Sequence, residues 1–371
     1  MDVGLTSEQL SLRDTVRDIL RTECPPDAAR RVLEDQGTDP ERWRTLWKTV
    51  VDLGWTELAA PDANHEFGPV ELAVVLEECG AAIAPIPLLS SIGLAAGVLR
   101  GCGPASESGF EPVLADIAAG VVATLAVHSP GYRLPRPTMT LRDGRLRGRA
   151  VAVPNLSRAE LIVTLARADN GDDGLVAAVA RSGDGVTVLQ GQSTDPAQPV
   201  ADVEIDTEPL AVAPLAGGGI ECALTAPLVA AAADLVGVAS AALNRSVEHA
   251  KARRQFGTPI GAFQGIKHAL ADNYVGLERA RSLTYAAAAL LGDSSAAPAD
   301  VWTAAALAKA AAGDAAANSA RTAVQVHGAL GQTWEHDAHL YIRHAWQGAA
   351  MLGDSRSLYH EVGRRFCGGA A

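Results

Sequence analysis

Apolar residues follow three different rhythms along the chain. Near the start, Leu12, Val16, Ile19 and Leu20 recur at helical spacing. The preceding Thr6-Ser7-Glu8-Gln9 can form a capping box, with the Thr6 hydroxyl and the Gln9 amide taking first-turn N–H groups, worth ~1 kcal/mol. Further helical patterns run from Trp43 to Leu53 and from Val70 to Cys79, and Pro87 can open another through Leu99. Residues 1–115 therefore read as an N-terminal helical domain.

From 117 to 210 the grammar shortens to Val/Leu/Thr-rich runs such as VVATLAV, ELIVTLAR and ADVEID. Arg142-Asp143-Gly144-Arg145 and Gly183-Asp184-Gly185 carry the residue types that tolerate positive φ at a hairpin corner. The pattern predicts a middle β domain, a sandwich or barrel, over 116–215. After the loop Ala216 to Gly219, long helical patterns at about 223–253, 263–291, 298–326 and 336–350 have short connections. They predict a C-terminal four-helix-bundle domain over 216–371, closed by a helix near 355–366. The expected fold class is mainly α with a central β domain.

Composition sharpens this picture. The apolar share is 48% and the aromatic share only 4%, so the core must be built from Ala, Val and Leu, which suits close-packed helices. A net charge of −12, with no dense Lys/Arg cluster, argues against a nucleic-acid partner. The opening MDVGLTSEQL has no basic and apolar leader pattern, so a cytoplasmic location is expected. The apolar windows Ala81–Leu99 and Cys222–Leu243 are interrupted by Pro85, Pro87, Ser90 and Ser91, and by Asp234, so no membrane span is expected. Five scattered cysteines form no C-x-x-C pair, which speaks against a zinc or disulfide framework.

The candidate chemistry lies at two helix ends. Residues 251–264 read KARRQFGTPIGAFQ. Arg253 and Arg254 close one helix, where cations complement its dipole; Gly257 and Pro259 break the chain, and Phe263 begins the next helix. Taken alone, this is a charged helix–helix corner. A companion segment, Gln325-Val326-His327-Gly328-Ala329, also sits at a helix end, and its glycine lets backbone N–H groups approach an anion closely.

Together these corners resemble the R-x-x-F-G-x-P-I-x-x-F-Q and Q-x-x-G-G-x-G segments of the acyl-CoA dehydrogenase family, and KHALADNYVGLERARSLTY is similar to the family helix that follows the first. The α, β, four-helix order matches as well, so the resemblance covers nearly the whole chain. It implies that Arg253, Gln255, Phe256 and Gln264, with Gln325, Val326, Gly328 and Ala329, reach across a subunit interface to the pyrophosphate and adenosine half of a neighbour's FAD. A guanidinium fork and free N–H groups suit a pyrophosphate.

The same comparison exposes losses. Family enzymes remove a proton from an acyl-CoA with a Glu while hydride passes to the flavin, and that scheme needs a carboxylate base. Here Leu352 stands at one usual Glu position and Pro227 in the segment Thr225–Leu228 at the other. Asp354 and Asp234 are the weak substitutes, and an isolated Asp in an apolar helix is more often hydrogen-bonded or interfacial. Where relatives hold the flavin ring with T-E-P-G-A-G-S-D and W-I-T-N segments, this chain reads Ala126–Gly131 and Val151–Asn155, a degraded ring site.

A retained clamp without a base is similar to the smaller subunits of heterotetrameric actinobacterial acyl-CoA dehydrogenases of sterol side-chain β-oxidation. The resemblance implies an FAD-contributing partner subunit of an α₂β₂ oxidoreductase in lipid and steroid degradation. The other subunit would carry the Glu and most of the acyl-CoA, and electron-transfer flavoprotein would accept the electrons. Two other functions stay open: a self-sufficient homotetrameric flavoenzyme, and a non-enzymatic scaffold without flavin. His327, His336, His339 and His344 invite a metal reading, but no carboxylate pair accompanies them, so no metal is assigned.

Overall fold

Helix α1 (Ser7–Glu23) starts at the expected capping box: Gln9 N–H donates to the Thr6 hydroxyl at 3.2 Å, and Thr6 N–H donates to Gln9 Oε1 at 2.9 Å. Helix α2 (Trp43–Asp52) buries Trp43, Trp47 and Val50. Helix α3 (Pro69–Ala82) is entered through Gly68, whose N–H donates to Glu71 at 2.7 Å. The computed structural model describes residues 4–25, 30–31, 43–59, 67–103, 108–169, 174–191, 193–215, 217 and 219–368. In the expected Ala216–Gly219 loop, Ala216 and Gly218 lie outside the described residues.

The helix expected from Pro87 is not regular. A π-helical stretch, Leu89–Ala95, leads into the short α4 (Ala96–Gly101). The Ser90 hydroxyl donates to Pro87 O at 3.0 Å and the Ser91 hydroxyl to Ala123 O at 3.1 Å, the kind of side-chain bond that competes with α-helical pairing. Helix α5 (Glu111–Ala118) then leads to the sheet.

The expected sandwich or barrel takes the form of one eight-stranded mixed sheet. Its strands are β1 (Ala123–Ala126), β2 (Met139–Arg142), β3 (Arg145–Pro154), β4 (Leu161–Ala168), β5 (Leu175–Arg181), β6 (Val186–Gln190), β7 (Val200–Thr207) and β8 (Ala211–Pro214). The order is β6-β7-β3-β2-β4-β5-β8, with β1 parallel to β4. Alternation in β4 sends Leu161, Val163 and Leu165 into the main core and Ile162 and Ala166 into a second core on the other face.

Asp143 and Gly144, at φ 51° and 73°, turn the β2–β3 hairpin as expected. The second expected hairpin corner is corrected. Gly183 and Gly185 do take positive φ, but β5 pairs with β4 and β8 while β6 pairs with β7. The turn residues bend the chain there, and strand order, which they do not encode, sends the two strands to different partners.

The bundle consists of α6 (Gly219–Ala252), α7 (Gln264–Leu291), α8 (Pro298–His327) and α9 (Ala338–Ala350), closed by α10 (Ser355–Gly368). Small residues bring backbones into direct contact. A Cβ on Gly237 would lie 1.8 Å from Glu77 O, and one on Gly80 would lie 2.0 Å from Asp234 O, so α3 and α6 touch main chain to main chain. By length and composition α6 is the one described helix that could cross a membrane, yet most of its apolar window is buried inside the protein.

Gly237→Ala is therefore expected to cost about 3 kcal/mol, because the carbonyl it meets cannot rotate away. Gly276→Ala, at a helical glycine with open space around it, is expected to hold or raise stability by up to ~1 kcal/mol. Chemical denaturation of both variants checks the pair, and equal effects would contradict the tight α3–α6 contact.

Candidate functional site

Two regions collect the residues singled out from sequence. The first is the junction of α6 and α7. Arg253 N–H donates to His249 O at 2.8 Å as α6 ends. Strand β9 (Arg254–Gln255) then pairs antiparallel with β10 (Thr258–Pro259). Phe256 and Gly257, at φ 50° and 81°, form the two-residue turn between them. The predicted helix–helix corner is thus a small hairpin, and α7 begins at Gln264 after a 3₁₀ turn, with Phe263 as its N-cap residue.

Arg253, Gln255 and Gln264 on this hairpin are exposed, and Phe256 is 92% exposed with its ring 6.1 Å from that of Phe263. Arg254 turns back to Gly257 O at 3.1 Å. Arg253 pairs with no carboxylate among the described residues. Such a cation beside an uncovered aromatic ring is what an anionic or protein partner can use.

The second corner lies beside it. Gln325 and Ala329 are exposed, whereas the Val326 side chain is buried and leaves only its main chain for contact. Gly328 has φ 62° with open space where a side chain would be. His327 stacks between His249 and His336, with ring centroids 4.2 and 4.3 Å away, and this stack joins the two corners. Burial, followed by neighbouring cationic groups, lowers the pKa of both His249 and His336. His249 was missed from sequence, although it stands one turn before Arg253.

The four histidines noted above do not converge. His339 packs edge-on to Trp334 at 5.0 Å, and His344 lies deep in the protein. Among the described residues, no group of three or more His, Cys, Asp or Glu side chains is arranged to hold a metal.

The second region is a cavity of about 310 Å³ between the π-helix, the sheet and α9. Its walls include the two pieces read as a degraded ring site: His128 from one, and Val151, Ala152 and Pro154 from the other. Ala152 has φ 52° at a bulge in the β3–β7 ladder, and its N–H donates to Asp202 at 3.0 Å.

Leu352, at the usual position of the base, is buried and also holds positive φ, 58°. Its N–H donates to His128 Nε2 at 3.1 Å. Burial, with a contribution from Lys309, lowers the His128 pKa to about 4, so the ring is neutral and can accept. Lys309 is buried and donates to Ala349 O and Gly353 O, bracketing Leu352; burial lowers its pKa to about 7 against the pull of Asp354.

Neither substitute carboxylate is a free base. Asp354 caps α10 by accepting from Ser357 N–H at 2.8 Å, and it pairs with Arg133. Burial pulls its pKa up, but these bonds outweigh it and hold the pKa below the ordinary value. Pro227, at the other base position, lies inside α6 with its ring against Gly97.

Asp234 is hydrogen-bonded, in line with the expectation for an isolated helix Asp. His344 Nε2 is 2.9 Å from Asp234, and His344 Nδ1 is 2.7 Å from Asp195 in the β6–β7 loop, an ion-pair approach off the ideal hydrogen-bond line. All three side chains are under 5% exposed. Burial pulls the imidazole pKa down, and the two carboxylates overcome it, so the pKa is raised well above the usual value. No spacing in the sequence links positions 195, 234 and 344. An imidazolium gripped on both sides is a tie rather than a proton shuttle.

Two family models match the chain: the acyl-CoA dehydrogenase N-terminal domain over residues 6–107 and the acyl-CoA dehydrogenase C-terminal domain over 222–366. The acyl-CoA dehydrogenase IpdE2 of Mycolicibacterium smegmatis is 33% identical over 362 residues, covering 95% of this chain and 96% of that protein. Among solved structures, the ChsE4-ChsE5 complex from Mycobacterium tuberculosis is similar at 27% identity and a TM-score of 0.82, covering 99% of both chains. The Tcur3481-Tcur3483 steroid ACAD is similar at 25% identity and a TM-score of 0.85, covering 100% of this chain and 99% of that one.

The His344 tie predicts a pH dependence of stability. Its folded pKa is raised, so its contribution is complete below the unfolded value of about 6.5 and is lost as pH rises through the folded value. The stability gap between the parent and the triple variant His344→Phe, Asp195→Asn, Asp234→Asn, which leaves no stranded carboxylate, should be widest at about pH 5–6.5 and narrow as pH rises further, read from denaturant titrations at several pH values. A gap independent of pH would mean that the imidazole is neutral.

Proposed function

The chain belongs to the acyl-CoA dehydrogenase family, and from that premise we propose that it is the FAD-contributing, non-catalytic partner subunit of a heterotetrameric acyl-CoA dehydrogenase. The observation that carries this reading is the division of the site. On the adenosine side Arg253, Gln255, Phe256, Gln264, Gln325, Gly328 and Ala329 stand exposed, while both base positions are filled by buried apolar side chains, Leu352 and Pro227.

The residues present fit one half of the cofactor. Arg253 offers a free guanidinium, Gln255 and Gln264 offer exposed amides, and Gly328 leaves its backbone open, a donor set suited to a pyrophosphate. FAD, when bound, supplies the hydride acceptor. Phe256 adds an uncovered ring for the adenosine side or the partner's surface.

The other half is poorly provided for. The cavity beside Leu352 presents a neutral His128; of its lining carboxylates, Asp195 and Asp234 are held by His344 and Asp354 by Arg133 and Ser357. Ring contacts, the Glu and most of the acyl-CoA then fall to the partner, and electron-transfer flavoprotein takes the electrons from the complex. A steroid side-chain thioester is the favoured substrate class, supported by likeness to a protein described as a steroid ACAD. The homotetramer reading would need Asp354 or another acid as base; the capping role of Asp354 and its pairing with Arg133, and the hold of His344 on Asp234, speak against those two candidates.

Turnover with an artificial electron acceptor should be absent for the lone chain and present when it is co-expressed with a partner carrying a Glu, with one FAD per heterodimer. Robust turnover by the lone chain, with one flavin per protomer, would overturn the proposal. Arg253→Ala should weaken FAD retention by the pair by about 1.5–3 kcal/mol, as expected for loss of a charge-assisted bond to phosphate. Equilibrium dialysis of the flavin measures this directly, and unchanged affinity would remove Arg253 from the clamp.

A further inference from the structure

A second cavity, of about 490 Å³, lies at the other end of the helix layer, between the starts of α3, α6 and α8, the end of α7, and α4. It is not an extension of the cavity beside Leu352. That one reaches Ser90 and Asp234, while this one begins at Gly97 and Ala230. Between them the helices are in tight contact: a Cβ on Gly93 would meet Ala230 at 2.8 Å, and Gly97 abuts the Pro227 ring. Ile92, Leu94, Ala95 and Ala231–Ala233 fill the remaining space and are almost completely buried.

The walls are mainly apolar, with Leu72, Val229, Leu291 and Val301 among them. Arg100 is the exception. One of its N–H groups donates to Leu58 O, and no other described residue accepts from it or pairs with its charge. Burial lowers its pKa. Two of the other polar side chains are engaged: the Thr225 hydroxyl donates to Glu221 O at 2.8 Å, and Asp293 accepts from the Ser295 N–H and hydroxyl.

Arg100 is only part-buried, and a cation losing water contact with no counter-ion among the described residues is one that an anion entering the cavity would stabilise. Arg100 stands in the last turn of the continuous helical stretch Leu89–Gly101, whose C-terminal dipole offsets part of the cost of its burial. The guanidinium retains donors in a fork that matches a carboxylate, and the apolar space before it is of a size usual for small-molecule sites.

We propose that this cavity binds a small amphipathic carboxylate, its anionic group on Arg100 and its apolar body along Leu72, Val229 and Val301. The site is separate from the flavin clamp and does not depend on it.

Dodecanoate and dodecanol differ only in the head group and serve as probes. Titration calorimetry on the full chain, alone and with its co-expressed partner, should show dodecanoate binding roughly 10-fold or more tightly than the alcohol. Cys222 lines the cavity, and the exposed Cys367 is not part of its lining. Dodecanoate should protect the first but not the second from iodoacetamide, read by mass spectrometry. Arg100→Met should erase the preference for carboxylate and leave dodecanol binding intact. Val229→Phe, which fills the apolar end and spares the Arg100 contact, should abolish binding of both while the flavin content of the pair is unchanged. Equal affinity of the parent for the two probes, a preference for dodecanoate that survives Arg100→Met, or an unprotected Cys222 would each overturn the proposal.

Discussion

The imidazolium of His344 between Asp195 and Asp234 is the contact on which the interior arrangement turns. It links a loop of the sheet, the middle of α6 and the face of α9, the three bodies that meet at the cavity beside Leu352. Charges this deep stabilise only while each has its partner; removing one leaves another stranded, at a cost of ~3–5 kcal/mol. Around it a neutral network extends the tie. Gln347 donates to Gln198 O, Gln198 to Ile86 O, and Asn155 to both Gln198 and Ser90 on the π-helix. The irregular helix, the bulged strand and the Leu352 segment are positioned by one polar lattice.

Beside that lattice, two backbone positions facing each other across the cavity are held in an unusual conformation. Leu352 retains a left-handed backbone that costs a leucine about 1–3 kcal/mol, held by His128 from one side and framed by Lys309 from the other. Ala152 across the cavity is held in the same backbone region by Asp202. Both positions present an aliphatic side chain, which has no acid–base chemistry of its own. At the far end of α6 the opposite holds, since the hairpin residues are chemically capable and nearly unburied.

Much of the fold was legible in the chain because the relevant physics is local. Apolar periodicity placed α6 to α10 within a few residues of their observed limits, the Thr6 capping box started α1, and Asp143-Gly144 turned a hairpin, each from residues adjacent in sequence. The π-helix was not legible. Its cause is a pair of serine hydroxyls, one of which bonds to a distant strand. The pairing of β5 and β6 was misjudged because turn chemistry bends a chain without choosing its neighbours.

For the site, sequence by itself determined which groups exist: the arginine, glutamines and glycine of the two corners, and the leucine and proline where a carboxylate is usual. These are matters of side-chain identity, and no folding can turn leucine into a base. Tertiary structure decided what those groups are free to do. It left Arg253 open and buried Val326, gave Asp354 to a helix cap and Asp234 to a histidine more than a hundred positions away, and stacked His249 against His327. Burial, hydrogen bonding and charge pairing depend on what packs against a residue, and in this chain the packing partners come from segments far apart in sequence.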